Sequence, residues 1–373
     1  MEKTYRAEDI GSDSDLKKKM IEQIVSPLLA EEKIDAILLP RRSSGGGITF
    51  SLFQEDDLQG ALFASPVQPV NAASLVSDLT FKEPGDRVAA LLRPCEVRAL
   101  IELEKLQQVD LDHLFIISID CLGTCEPELF REMAAEEDDL LGRYERALRE
   151  GDMGEFPLRD ACRFCQIGRA SRYDINISLI GSAEDELLLT AGSEAGRDFL
   201  EELDLKESAL PGESQELLDS IAAEREEMWE EELAEFGSRI EDIPGLIEVL
   251  DLCRTCHNCR SACPVCYCRE CVFETLTFEH EGRKYIEWAE RKGSIKMPSD
   301  TLLFHITRLN HMGLSCIACG QCESACPVDI PLLKIFKHIG ERAQDYFSYL
   351  PGRDVEEPLP LTTYEEDEDF DLS

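Results

Sequence analysis

Positive charge is what this chain has least of for its size. Its 373 residues hold 38 Lys and Arg against 77 Asp and Glu, a formal net charge of −39. A surface of that sign repels nucleic acid and anionic membranes, so neither is an expected partner. Long apolar runs are also missing. None approaches the roughly 20 residues that cross a bilayer, and the opening stretch MEKTYRAEDIGSDSD has no apolar segment of the export-signal kind. Neither a GxGxxG fingerprint nor a P-loop lysine is present. The expected location is the cytoplasm, without direct membrane insertion.

Cysteine is the excess. There are 16 of them, and in a cytoplasmic chain they point to metal ligands and an oxygen-poor cell rather than to disulfides. Cys253, Cys256, Cys259 and Cys263 form Cys-x2-Cys-x2-Cys-x3-Cys ahead of Pro264. Cys316, Cys319, Cys322 and Cys326 repeat the pattern ahead of Pro327. This is the spacing of a bacterial-type ferredoxin with two [4Fe–4S] clusters, in which each run lends its fourth cysteine to the other run's cluster. The expected ligand sets are Cys253, Cys256, Cys259 and Cys326, and Cys316, Cys319, Cys322 and Cys263. Structural zinc is the alternative, but nothing in its chemistry calls for two matching four-cysteine runs that each end in proline. Cys266, Cys268 and Cys271 are surplus to both sets, and small buried hydrophobes are their default reading.

The N-terminal half alternates strand, loop and helix. A helix is expected over 14–30, with Met20, Ile21, Ile24 and Leu28 on one face. Strands follow at 36–39, 48–53, 87–92 and 115–119, then a long acidic helix to about Glu150 and a strand near 175–180. Arg41, Arg42, Ser44, Gly45, Gly46, Gly47 and Thr49 surround a glycine-rich loop. It would suit a phosphate-bearing ligand, since glycine lets backbone N–H groups approach and arginine neutralises charge; a flexible turn is the equal alternative. In an open α/β sheet, ligands bind beyond the carboxyl ends of the strands. The glycine-rich loop, Cys95 and Cys121/Cys125 should therefore gather at one edge. Cys95, Cys121, Cys162 and Cys165 are the expected ligands of a third [4Fe–4S] cluster, with Cys125 as substitute and buried structural thiols as the alternative.

Between the halves, 191–250 reads as an acidic helical linker. The insert between the cysteine runs carries helices near 283–292 and from 299 or 300 to 313. The second has Leu302, Ile306 and Leu309 as its apolar stripe, and His305 and His311 as ordinary surface or core histidines. A closing helix runs from Asp329 to about Tyr349. The fold expected is an α/β N-terminal domain (an open mixed sheet with flanking helices, 1–190) and a mainly α dicluster ferredoxin domain (251–350), with an acidic tail over 351–373.

Several pieces in order carry a resemblance: Gly45-Gly46-Gly47-Ile48-Thr49; Arg93-Pro94-Cys95 with Ala99-Leu100; Cys121; Cys162-x-x-Cys165 with Tyr173-Asp174-Ile175-Asn176-Ile177-Ser178 and Gly181; Cys263-Pro264-Val265-Cys266-Tyr267-Cys268; and the second cluster run. With these the chain resembles beta subunits of the coenzyme F420-dependent hydrogenase and formate dehydrogenase family. The resemblance implies FAD near the glycine-rich loop and a cluster in the N-terminal domain. It implies a catalytic partner of formate dehydrogenase or hydrogenase type and a two-electron carrier, F420 or NAD(P). The C-terminal half looks most like relatives that pair with heterodisulfide-reductase-like subunits. A flavin beside clusters converts electron pairs to single electrons; the alternative is a pure electron wire without flavin or soluble substrate.

Overall fold

The computed structural model describes residues 3–7, 16–30, 33–54, 58–81, 86–137, 139–183, 186–203 and 205–362. The chain divides into two compact units, Met1–Trp229 with Leu350–Ser373, and Glu230–Tyr349. Among the described residues no helix is long and apolar enough to cross a membrane.

An eight-stranded mixed sheet organises the first unit: β1 Lys3–Arg6, β2 Ala36–Arg42, β3 Ile48–Phe53, β4 Val88–Leu92, β5 Leu114–Ile119, β6 Ile175–Ser178, β7 Leu188–Ala191 and β8 Lys206–Ser208. Their spatial order is β3-β2-β4-β5-β6-β7-β1-β8. Strands β2, β4, β5 and β6 run parallel, and the remaining pairings are antiparallel. The run VAALL in β4 is buried at every position, as a strand covered on both faces must be. Helices flank the sheet. The one over 16–30 has a π-helical turn, Ile21–Val25, at its centre and buries Met20, Ile24 and Leu28; positions 14 and 15 of the expected helix lie outside the described residues. The acidic stretch before Glu150 is two helices, Pro127–Glu136 and Leu140–Glu150, because the helical pattern breaks at Glu137, whose backbone is extended. Residues 191–250 hold β8 and the helices Glu194–Glu202, Gly212–Gly237 and Ile243–Val249.

Because β2, β4 and β5 are parallel, their carboxyl ends share one edge. There the chain presents the turn over 43–47, then Arg93 and Cys95, then Asp120 and Cys121. Asp120 is fully buried and accepts from Nε and Nη2 of Arg169, each at 2.9 Å, and from Nδ2 of Asn176 at 3.1 Å. That network fixes the end of β5, which carries Cys121.

The second unit is helical, with Gly282–Lys292, Thr301–Met312 and Leu332–Tyr346 as its longer elements after 250. Its core numbers eleven buried residues, among them Phe236, Leu246, Phe304 and Phe336. Cys253, Cys316, Cys322 and Cys326 pack against that core. So small a core is marginal alone and gains from cross-links or metal groups.

Candidate iron–sulfur sites

The two cysteine runs of the second unit fold the same way. Each contains a one-turn helix over equivalent residues, Asn258–Ser261 and Gln321–Ser324. In each, the residues on either side of the second cysteine take positive φ: Thr255 (47°) and His257 (61°) around Cys256, Ala318 (55°) and Gly320 (71°) around Cys319. Three of these four are not glycine. A side chain in the left-handed region costs about 1–2 kcal/mol, so the turns persist only where something else fixes them. They curl each loop around its own thiols. Thr255 N–H donates to Cys253 Sγ and Ile330 N–H to Cys326 Sγ, each at 3.4 Å.

The thiols group in crossed sets. Cys253 and Cys259 have Cys326 among their charged neighbours, together with Cys256. Cys322 and Cys263 are neighbours of one another and of Cys316 and Cys319. Burial pushes the Cys259 thiol up to about 11, the neighbouring thiols adding to it and Arg308 opposing; the Cys263 and Cys322 thiols are raised well above their ordinary value too, by loss of solvent and by neighbouring thiols. Bare thiols so placed resist ionisation, and a bound cation reverses that balance by holding them as thiolates. Among the described residues no three His, Cys, Asp or Glu side chains converge on one ion-sized point. Four thiols on a cubane stand further apart, each on its own iron. Cys266 lies beside the second set, its thiol raised by burial, while Cys268 is exposed and Cys271 packs at the edge of the core.

The insert helix Thr301–Met312 supplies two residues that the sequence pattern did not single out. Its expected stripe of Leu302, Ile306 and Leu309 is not its most buried face: Phe304, His305, Arg308 and Met312 are. His305 is therefore a core histidine, and one beside a cysteine. Its Nε2 is 3.3 Å from Cys253 Sγ and its Nδ1 is buried without a partner. Burial, helped by Arg308 and His257, holds its pKa down near about 4. A proton on Nε2 would face that sulfur. Arg308 lies among Cys259, Cys263, Cys322 and Cys266. Its Nη2 donates to the Cys259 carbonyl at 3.1 Å, its plane rests 4.8 Å from the Phe336 ring centre, and its Nε and Nη1 are buried without an acceptor. Burial opposes its charge, yet the thiols more than offset that and raise its pKa. Burying a cation with idle donors is costly unless an anion faces it. An anionic cluster in each thiol set meets that need, so the residues fit the group. A buried Arg among thiols, three residues after a buried His, is the signal that could have found the pair.

At the sheet edge of the first unit, Cys121, Cys162 and Cys165 are charged neighbours, and Cys95 and Cys121 both border the buried Arg93. Burial pushes Cys121 up to about 11. Gln68 ties the group together: its Nε2 donates to Cys95 Sγ at 3.4 Å, and its Oε1 accepts from Arg159 Nη2 at 2.7 Å. The same Nη2 is 3.6 Å from Cys162 Sγ, to which Thr124 N–H also donates at 3.3 Å. Burial works against the Cys162 thiolate, but Arg159 and Thr124 outweigh it and its pKa falls. Gly123 has φ of 125°, and a Cβ there would lie 2.8 Å from that of Cys162. Cys125 is buried, bridged through its backbone to Val67 and Leu158, with a thiol raised by burial to about 12. Two buried guanidinium groups among four thiols suit a further anionic cluster.

The glycine-rich segment is a hairpin turn joining β2 to β3. Arg42 N–H donates to the Gly60 carbonyl and Ser43 N–H to that of Gly47, each at 2.8 Å, and Gly46 N–H to that of Ser43 at 3.0 Å. Those donors are used within the protein, so an anion here would rely on the side chains of Arg41, Arg42 and Ser44, which are exposed. Thr49 is paired across the strands with Arg41. The turn offers charge for a phosphate and does not itself enclose a ring system. A narrow cleft lined by Pro40, Arg93, Asp120, Cys121 and Tyr144 links β2 to the cysteine group.

Crossed thiol loops on a small helical unit mark an iron–sulfur electron-transfer protein, and residues 314–331 match the model of a 4Fe-4S binding domain. Over 367 residues the chain is 28% identical to the F420-dependent formate dehydrogenase subunit beta of Methanocaldococcus jannaschii, covering 89% of this chain and 90% of that one. It is 29% identical to the F420-dependent formate dehydrogenase 1 subunit beta of Methanococcus maripaludis, over 74% of this chain and 75% of the relative. Sulfhydrogenase 2 subunit beta of Pyrococcus furiosus shares 26% over 42% of this chain and 53% of its own. A chain of the F420-reducing [NiFe] hydrogenase complex from Methanosarcina barkeri aligns over 65% of this chain and 94% of its own, at a TM-score of 0.44 and 11% identity, too slight a likeness to carry weight. The chain is thus similar, over most of its length, to formate dehydrogenase beta subunits.

Proposed function

We propose that the chain is an iron–sulfur flavoprotein subunit relaying electrons between a catalytic subunit of formate dehydrogenase or hydrogenase type and a carrier. The carrier is F420, as the relatives' names suggest, with NAD(P) or a heterodisulfide-reductase-like module as the alternatives to be tested against it. Cys253, Cys256, Cys259 and Cys326 hold one [4Fe–4S] cluster, and Cys316, Cys319, Cys322 and Cys263 a second; both lie in a ferredoxin-type domain over 251–350. Cys95, Cys121, Cys162 and Cys165 hold a third, and FAD lies by Arg41, Arg42, Ser44, Gly45, Gly46, Gly47 and Thr49. Bound, the clusters carry single electrons, and the flavin exchanges pairs for them. Arg308 lies among the thiols of both sets, His305 Nε2 faces Cys253 Sγ, and Arg159 and Thr124 donate to Cys162 Sγ. Donors of this kind stabilise the more negative, reduced state.

The observation that carries this reading is the crossed grouping of eight thiols in two sets, with one buried arginine beside Cys259 of one and Cys263 and Cys322 of the other. Anaerobic purification with iron and flavin quantification tests it. About twelve irons per chain and about one FAD are expected. About eight irons without flavin leave only the electron wire, and a folded, colourless protein with no reduced-state paramagnetic signal overturns it.

A further inference from the structure

The insert between the cysteine runs does more than supply His305 and Arg308. Residues 283–296 carry five basic and two acidic side chains in a chain where acids outnumber bases by 77 to 38. They border an open groove of about 560 Å³, whose walls include His280, Trp288, Arg291, Lys292 and Leu303. The aromatic wall is built. His280 and Tyr285 each meet Trp288 edge-on, at 5.0 and 5.6 Å between ring centres, and Lys284 Nζ lies 5.8 Å from the Trp288 ring. Among the described residues Arg291 and Lys292 form no ion pair, whereas nearby Lys296 is paired with Asp251 at 2.8 Å. Leu303 on its wall is more than half exposed, as are Leu276 and Met297, each within two residues of a lining side chain. Exposed apolar side chains beside two cations without an ion pair are the composition of a protein-binding surface.

Its position gives the surface a purpose. Leu303 stands on the groove, and two residues along the same helix His305 touches Cys253. One helix, roughly 10–12 Å across with its side chains, separates whatever docks there from the first cluster set. We propose that this groove docks a small one-electron carrier protein with an acidic face, such as a ferredoxin. The inference rests on the cluster assignment above and adds where, and to what kind of partner, a single electron passes. The charge is what selects an acidic protein. The rest of the chain repels such a partner, so the basic insert both steers it and fixes which face it meets. The spread of exposed apolar side chains beyond the groove fits a protein better than a small anion. One electron moves from the carrier's reduced iron–sulfur centre to the oxidised cluster, or the reverse, and no bond or proton changes hands.

The test is stopped-flow reduction of the purified, cluster-loaded protein by an acidic plant-type [2Fe–2S] ferredoxin, with dithionite as the small-molecule control. R291E/K292E should slow the ferredoxin reaction about tenfold at low salt and flatten its ionic-strength dependence. Its dithionite rate and cluster absorption should stay those of the parent. R291Q/K292Q should fall between, and R131E, an exposed change on the first unit, should do nothing. An unaltered ferredoxin rate in both groove variants overturns the proposal. So does tight calorimetric binding of ATP that the same variants abolish while ferredoxin reacts as before, since the groove would then be a small-anion site. Absent cluster absorption in the parent would sink the cluster assignment first, and this proposal with it.

Discussion

Replacing Arg308 by methionine removes one buried positive charge from among the thiols of both sets while keeping most of the side chain's volume. The guanidinium borders Cys259 of one set and Cys263 and Cys322 of the other. A unit charge on the order of 7 Å from a cluster, at an effective dielectric constant of about 20, contributes about 2.4 kcal/mol. For a one-electron couple, in which a tenfold change in equilibrium is about 59 mV, that is about 100 mV. Reduction adds negative charge, so losing the cation disfavours it, and both potentials should fall by about that amount. Anaerobic redox titration followed by paramagnetic resonance measures the shift, and R308K, which keeps the charge, should stay close to the parent. A fall below about 20 mV with both clusters in place, or equal shifts in R308M and R308K, would refute the idea that this cation acts through its field. The variant also separates charge from structure: without iron, a buried guanidinium with two idle donors is a burden. Iron-free R308M should therefore unfold later than the iron-free parent, although the loaded proteins rank the other way.

His305→Ala should lower the potential of the Cys253 set alone, by some tens of millivolts, since one N–H···S donor is lost; titration of the two resonance signals separates the sets. Gly123→Ala places a methyl group 2.8 Å from the Cys162 Cβ at a backbone angle that only glycine holds easily. Iron should then fall from about twelve to about eight per chain, with the resonance signals of the other two clusters intact. Asp120→Ala removes the carboxylate that Arg169 and Asn176 share. Thermal or denaturant unfolding of the first unit should register a loss of about 3–5 kcal/mol.

How much of this was legible depended on what each part of the chain had to satisfy. Strand β3 falls on 48–53, as alternation and glycine spacing imply, and β4 and β5 differ from their expected bounds by one residue. Local chemistry decides such elements. The cysteine spacings likewise encode the crossed grouping, because a short loop followed by proline leaves its fourth thiol facing elsewhere. The insert helix was misread for a physical reason. Periodicity looks for an apolar stripe, and Leu302, Ile306 and Leu309 form one. The helix instead turns Phe304, His305 and Arg308 inward, where His305 meets Cys253 and Arg308 lies among the thiols. Nor could sequence tell that the glycine-rich segment closes on itself as a hairpin, with Ser43 and Gly46 N–H bonded inside the turn and Arg42 N–H to Gly60, a partner outside the motif.

The two units reach the same chemistry by opposite means. In the second, a small helical core leaves the thiols on short loops, and those loops adopt left-handed turns at Thr255, His257 and Ala318 that nothing in their own sequence favours. The strain is local, so its compensation must be local too: the His257 ring lies 4.7 Å from Phe304, and Arg260 is paired with Glu274 at 3.0 Å. Neither contact fixes the position of the thiols, which is left to the bound group. In the first unit the frame comes from the sheet. Cys121 hangs from β5 by a hydrogen bond to the Gly168 carbonyl, and Cys95 sits in the first turn of the Pro94–Lys105 helix. There, positive φ at the site falls on Gly123, where it costs little. A site held by strands and buried arginines survives loss of its occupant; a site held by strained loops does not. Iron removal should therefore lower the unfolding temperature of the second unit while that of the sheet stays unchanged.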